Sequence, residues 1–126
     1  MTPNTPLLPE LGPDDDLLRA LLNKKAVDNL PDAFLLRADE RDSGLSVSIK
    51  STAQECRALF KKTYGVARLA VSHVRELDLT VIPDEPNHAN IVGIPYKDDD
   101  PERAEWLAGR LAERATIIDR GKVERD

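Results

Sequence analysis

His73 and His88 are the side chains of this 126-residue chain whose ordinary titration lies nearest neutrality. His88 follows Asp84 closely enough for a carboxylate to orient its imidazole as a general base. Arg37 offers a planar cationic fork that would suit a carboxylate or phosphate on a substrate. His88, Arg37 and Asp84 therefore form the candidate catalytic set, with an imidazole base, the group that orients it and an anion anchor. The competing reading of His88 is structural, because a histidine entering a strand commonly bonds a neighbouring carbonyl. His73 carries the weaker chemical signal. A metal site using both histidines would need a third ligand, for which Asp84 and Glu85 are the nearest in sequence. No ligand spacing supports such a site, and no metal is expected.

Cys56 lies near the start of a predicted helix, where a thiol pKa falls. It also shares a face with Leu59 and Phe60, so it is read as a core residue. The six glycines are scattered singly, and the chain has no Walker loop, dinucleotide fingerprint, Gly-x-Ser-x-Gly elbow, His-Glu-x-x-His or EF-hand loop. No cofactor is expected.

Charge and composition narrow the classes further. Eighteen Lys and Arg face 23 Asp and Glu, for a net charge of -5, and aromatics are only 4%. Such a surface repels a polyphosphate and lacks stacking platforms, so nucleic-acid binding is disfavoured. The basic residues Arg57, Lys61, Lys62 and Arg68 read as a solvated helix face. One cysteine forms no intrachain disulfide. No segment resembles a secretion signal or a membrane span. A soluble cytoplasmic protein is expected.

The elements that must position these groups follow from pattern. Pro3, Pro6, Pro9 and Gly12 predict a flexible leader over 1–12, whose Leu7, Leu8 and Leu11 are candidate binding residues. A single domain is expected over 13–118 and a charged tail over 119–126. Pro13, three aspartates and then Leu17, Leu18, Leu21 and Leu22 ahead of Lys24 and Lys25 predict a short helix. Strands are expected at 33–37 and 45–49, joined as a hairpin, with Leu45, Val47 and Ile49 on the dry side. Thr52-Ala53-Gln54-Glu55 is a capping box opening a helix that Gly65 would close. Further strands are expected at 66–71, 79–82 and 88–94, with a helical turn at 72–77 and a rigid acidic loop at 83–87. Asp100 and Pro101 start a last helix, running to about Ala115. The expected fold is α+β, a mostly antiparallel sheet of four to five short strands with helices on one face.

Arg37 at the end of a first strand, Gly44-Leu45-Ser46 opening a second, Ser51-Thr52-Ala53 before a helix, and strands at Val66 and Leu79 form an ordered set. Over about half the chain this outline resembles small ADP-ribosyltransferase-type domains. The resemblance implies an NAD cleft lined by an Arg or His, a Ser-Thr-Ser-like strand and a late Glu. Arg37 and Ser51 stand closer than that pattern has them, and no late Glu falls on an expected strand. No family is assigned.

With no cofactor motif and a strongly charged surface, the leading expectation is a small binding or assembly module acting through a protein partner or self-association. Leu7, Leu8, Leu11 and the wet sheet face are its surfaces. The alternative is the small enzyme centred on His88 and Arg37, ADP-ribosyltransferase-like in outline.

Overall fold

Apolar residues that alternate along the chain are what build the sheet of this protein, whose computed structural model describes residues 8–119. Its described strands are β1 (Asp16–Leu21), β2 (Leu45–Ile49), β3 (Gly65–Ala70), β4 (Thr80–Glu85), β5 (His88–Val92) and β6 (Thr116–Asp119). They form one sheet in the order β4-β5-β2-β1-β3-β6, every neighbouring pair antiparallel. The described helices are α1 (Lys24–Asp28), α2 (Ala53–Ala58), α3 (Val71–Glu76) and α4 (Pro101–Arg114), with 3₁₀ turns at Leu30–Phe34 and Ala38–Glu40. The fold is α+β, with six strands, slightly more than the pattern suggested. Among the described residues no helix is long and apolar enough to cross a membrane.

The main core lies on one face of the sheet. Leu17, Leu45, Val47, Ile49, Leu69 and Ile91 pack there against Phe34, Val74, Leu107 and Leu111. Burial of such side chains is the principal drive for closing the layer, roughly 1.5–3 kcal/mol for each large one fully covered. On the other face α2 covers only part of the sheet, where Cys56 packs with Leu18, Ala20 and Val66. The β4 and β5 side of that face is the more open one.

The expected helix over 13–25 is instead β1, in the interior of the sheet. The leucine spacing fits a helix, but helices cover β1 on both faces, and a strand buried on both sides reads as a continuous apolar run. Asp15 does not serve a helix dipole: its Oδ2 accepts the Gly12 amide at 2.7 Å and closes a turn. The expected strand at 33–37, and with it the hairpin to β2, is also absent. Leu30-Pro31 starts a 3₁₀ turn that buries Phe34 fully, and Arg37 begins the next turn. Residues 83–87 are not a loop throughout, since β4 runs through Pro83 to Glu85 as an edge strand, where a missing N–H is tolerated. The helix opened by the capping box at Thr52 forms as expected, but it stops at Ala58, and Gly65 opens β3 instead of closing the helix. Residues 116–119 pair with β3 as β6, so Asp119 belongs to the sheet; 120–126 lie outside the described residues.

Candidate active site

Strand pairing carries Asp84, His88 and Ser46 to the open face. In the ladder Ser48 stands opposite His88 and Ser46 opposite Asn90. Because alternate residues share a face, Ser46, Ser48, His88 and Asn90 all point the same way. Ser46 Oγ reaches diagonally to His88 Nε2 at 2.5 Å. On the far side of the ring His88 Nδ1 meets Asp84 Oδ1 at 2.6 Å. The β4–β5 register shifts between Pro83 and Glu85, and the residue at that irregularity is Asp84. A bulge re-aims its side chain, here toward β5. Asn90 Nδ2 donates to the second carboxylate oxygen at 3.1 Å.

Burial pushes the Asp84 carboxyl up, but the hydrogen bond and charge of His88 and the bond from Asn90 outweigh it, leaving its pKa below the ordinary value. An ionised carboxylate only accepts, so Nδ1 donates to Asp84, and whenever Nε2 carries no proton it is the atom left to accept from the Ser46 hydroxyl. The result is a continuous Asp84-His88-Ser46 chain ending on a hydroxyl.

Ser46 is held from behind by charge. Its amide donates to Glu40 Oε2 at 3.0 Å and its carbonyl accepts from Arg19 Nη1 at 2.9 Å. Arg19 also grips Glu40 with both nitrogens, at 2.6 and 3.1 Å, and donates Nε to the Ala33 carbonyl at 2.7 Å. Both side chains are almost wholly buried. Burial pushes the Glu40 carboxyl up, yet Arg19 and the amides of Arg37 and Ser46 overcome that and hold it below its usual range. Arg37 Nη2 lies 3.1 Å from Glu40 Oε2, with its side chain one-third exposed (34%).

Arg37, Ser46 and His88 line one small cleft together with Ser48, Cys56 and Phe60, its free space about 260 Å³ including the part open to solvent. The three expected residues Arg37, Asp84 and His88 thus come together, with His88 shared between the relay and the cleft. Cys56 borders it but is 1% exposed, and burial pushes its thiol up despite a hydrogen bond from Ser48, so it is a poor nucleophile. His73 is elsewhere, buried in α3 with Nε2 2.7 Å from the Arg110 carbonyl, where it ties α3 to α4. Among the described residues no group of three His, Cys, Asp or Glu could hold a metal ion. Leu11 packs on the main core, Leu8 is 48% exposed, and Leu7 lies outside the described residues.

Ser46, Arg19 and Glu40 were not singled out from the sequence as chemical groups. The available signal was a charged residue inside Leu17-Leu18-Arg19-Ala20-Leu21, on the same strand face as two core leucines. As for the ADP-ribosyltransferase-like outline, Arg37 ends no strand. Ser51 sits outside the Arg37 cleft, with its Oγ donating to the Ile49 carbonyl at 2.8 Å. No known protein family, curated protein or solved structure matches the chain.

Proposed function

We propose that the protein is a small serine-dependent acyl hydrolase, with Ser46 as nucleophile, His88 as general base and Asp84 as the group that orients the ring. The observation that carries this reading is the unbroken hydrogen-bonded chain from Asp84 Oδ1 through both His88 nitrogens to Ser46 Oγ. A hydroxyl is a weak nucleophile until a positioned base takes its proton, and this arrangement supplies that base. Ser46 Oγ attacks the substrate carbonyl carbon while His88 Nε2 receives the hydroxyl proton. The imidazolium faces the Asp84 carboxylate, then gives the proton to the leaving oxygen. Water, deprotonated by His88, attacks the acyl-serine; the imidazolium returns that proton to Ser46 Oγ as the acyl C–O bond breaks and the acid is released. A single buried thiol fits a reducing compartment such as the cytoplasm.

The test is labelling with an alkyl fluorophosphonate followed by mass spectrometry. One adduct is expected on Ser46, lost in Ser46→Ala and strongly slowed in His88→Ala. Absence of an adduct, or one that survives Ser46→Ala, would overturn the assignment.

A second reading, a module for a protein partner or self-association, draws on Ile82 and Val92. Both are exposed, at 47% and 39%, on β4 and β5 at the margin of the sheet. Light scattering over a hundredfold concentration range, with and without residues 1–12, tests it; a constant monomer mass and no partner lost on deletion would count against it.

A further inference from the structure

We infer that Arg37 selects acyl substrates whose acyl half ends in a carboxylate, that is, half-esters of short dicarboxylic acids; this rests on Ser46 acting as the nucleophile. The geometry ties the two residues closely, because Arg37 Nη2 and the Ser46 amide share one oxygen, Glu40 Oε2, at 3.1 and 3.0 Å. The Arg37 guanidinium is therefore one carboxylate oxygen away from the nucleophile's own backbone.

Its charge is only partly matched. Glu40 is already matched by Arg19, which holds both its oxygens inside the protein. The other carboxylate near Arg37 is Asp39, 3.7 Å away on a side chain that is 79% exposed, a loose and solvent-screened partner. With Asp39 held out in solvent, two guanidinium groups meet one buried carboxylate at this wall of the cleft, on a chain of net charge -5. The attraction is thus local to the site. A guanidinium meets a carboxylate through two parallel hydrogen bonds, a match that a neutral acyl chain lacks.

The measurement is kcat/KM for 4-nitrophenyl hydrogen glutarate against 4-nitrophenyl butyrate, which have similar acyl length and differ in the terminal charge. The anionic ester should be favoured by about tenfold or more, and Arg37→Gln should cut that ratio about tenfold, with Arg37→Lys between the two. Independently of any variant, the wild-type preference should shrink as salt rises from about 0.01 to 1 M, where screening shortens from roughly 30 to 3 Å. A preference for the butyrate, or a ratio indifferent to both salt and Arg37→Gln, overturns the inference, as does failure of both esters on a protein whose Ser46 still labels. Absence of Ser46 labelling would instead remove the hydrolase reading beneath it.

Discussion

Arg19 and Ser46 meet where β1 and β2 separate: the paired register of the two strands comprises Leu17 with Ile49 and Leu18 with Ser48, and at Ser46 the side chains of Arg19 and Glu40 take over both backbone groups. The cleft opens at this split. A charge pair thus substitutes for two ladder hydrogen bonds, and the space it holds open lets Ser46 and His88 face a substrate. Structure and chemistry are coupled through two residues that need never touch the substrate.

Removing one partner should be costly. Glu40→Ala strands the buried Arg19 charge and is expected to lower stability by about 3–5 kcal/mol. Replacing a buried pair by apolar groups is often neutral, but here the pair also serves the Ser46 amide and carbonyl, the Arg37 amide and the Ala33 carbonyl. Each buried group left without a partner costs roughly 1–3 kcal/mol. The double variant Arg19→Met with Glu40→Leu should therefore remain at least about 2 kcal/mol below wild type in urea unfolding. Recovery to wild-type stability would show that those backbone bonds contribute little.

Acid should act through the same carboxylate. Glu40 has its pKa lowered in the folded state, so between that value and the ordinary one of about 4.3 the unfolded chain binds more protons and stability rises with pH. The contribution is full above the ordinary value and is lost as pH falls through the folded one. Urea midpoints between pH 7 and 3 should drop more steeply for wild type than for Glu40→Gln. Parallel curves would remove Glu40 as a source of acid sensitivity.

Two glycines should respond in opposite directions to alanine. Gly44, just before β2, has φ of +108°, and an added Cβ would lie 2.7 Å from the Ile91 carbonyl oxygen. Gly44→Ala is expected to lose at least about 1–3 kcal/mol, the range for a residue forced into a sparsely populated conformation. Gly109, inside α4, has nothing within 4 Å of that position, so Gly109→Ala should gain about 0.5–1 kcal/mol from helix propensity. Thermal melts of both read the contrast directly; equal shifts would refute it.

What was legible in the chain was local. The Thr52–Glu55 capping box, the Asp100-Pro101 helix start and the alternation of Leu45, Val47 and Ile49 all depend on neighbours within a few residues, and each appears in the structure. β1 was not legible because Leu17, Leu18, Leu21 and Leu22 satisfy both a helical face and a strand covered on two sides, and only the position of α2 distinguishes them. The site divides the same way. Asp84 and His88 are near in sequence, while Ser46 joins His88 across 42 residues through β2–β5 pairing that no local pattern encodes. Glu40 sits in a turn whose composition reads as solvated loop, and its partner Arg19 comes from β1, 21 residues earlier.

Cys56 should be silent until the protein opens. The thiol borders the cleft but is 1% exposed and its pKa is raised by burial, so the reactive thiolate is scarce and hard to reach. Reaction with a disulfide reagent should be slow in the native state and become complete in denaturant. Rapid modification of native protein would show that α2 lifts from the sheet far more readily than its packing indicates.

Asp84→Asn separates the relay from the fold. The Asp84–His88 contact is on the open face, with side-chain exposures of 47% and 25%, so its loss should change stability by no more than about 1 kcal/mol. Chemistry should suffer far more. A carboxylate can only accept from Nδ1, whereas the introduced amide can donate to it and shift the ring proton to Nε2, taking from the Ser46 hydroxyl the acceptor it needs. Fluorophosphonate labelling of Ser46 should fall about a hundredfold or more, within the range contributed by a general base. Nitrogen NMR of His88 should show the proton moving from Nδ1 to Nε2 in the same variant. Labelling that continues at the wild-type rate after the tautomer has changed would mean that Ser46 does not depend on His88 as its base, and the hydrogen-bonded chain would then be a cross-strand brace alone.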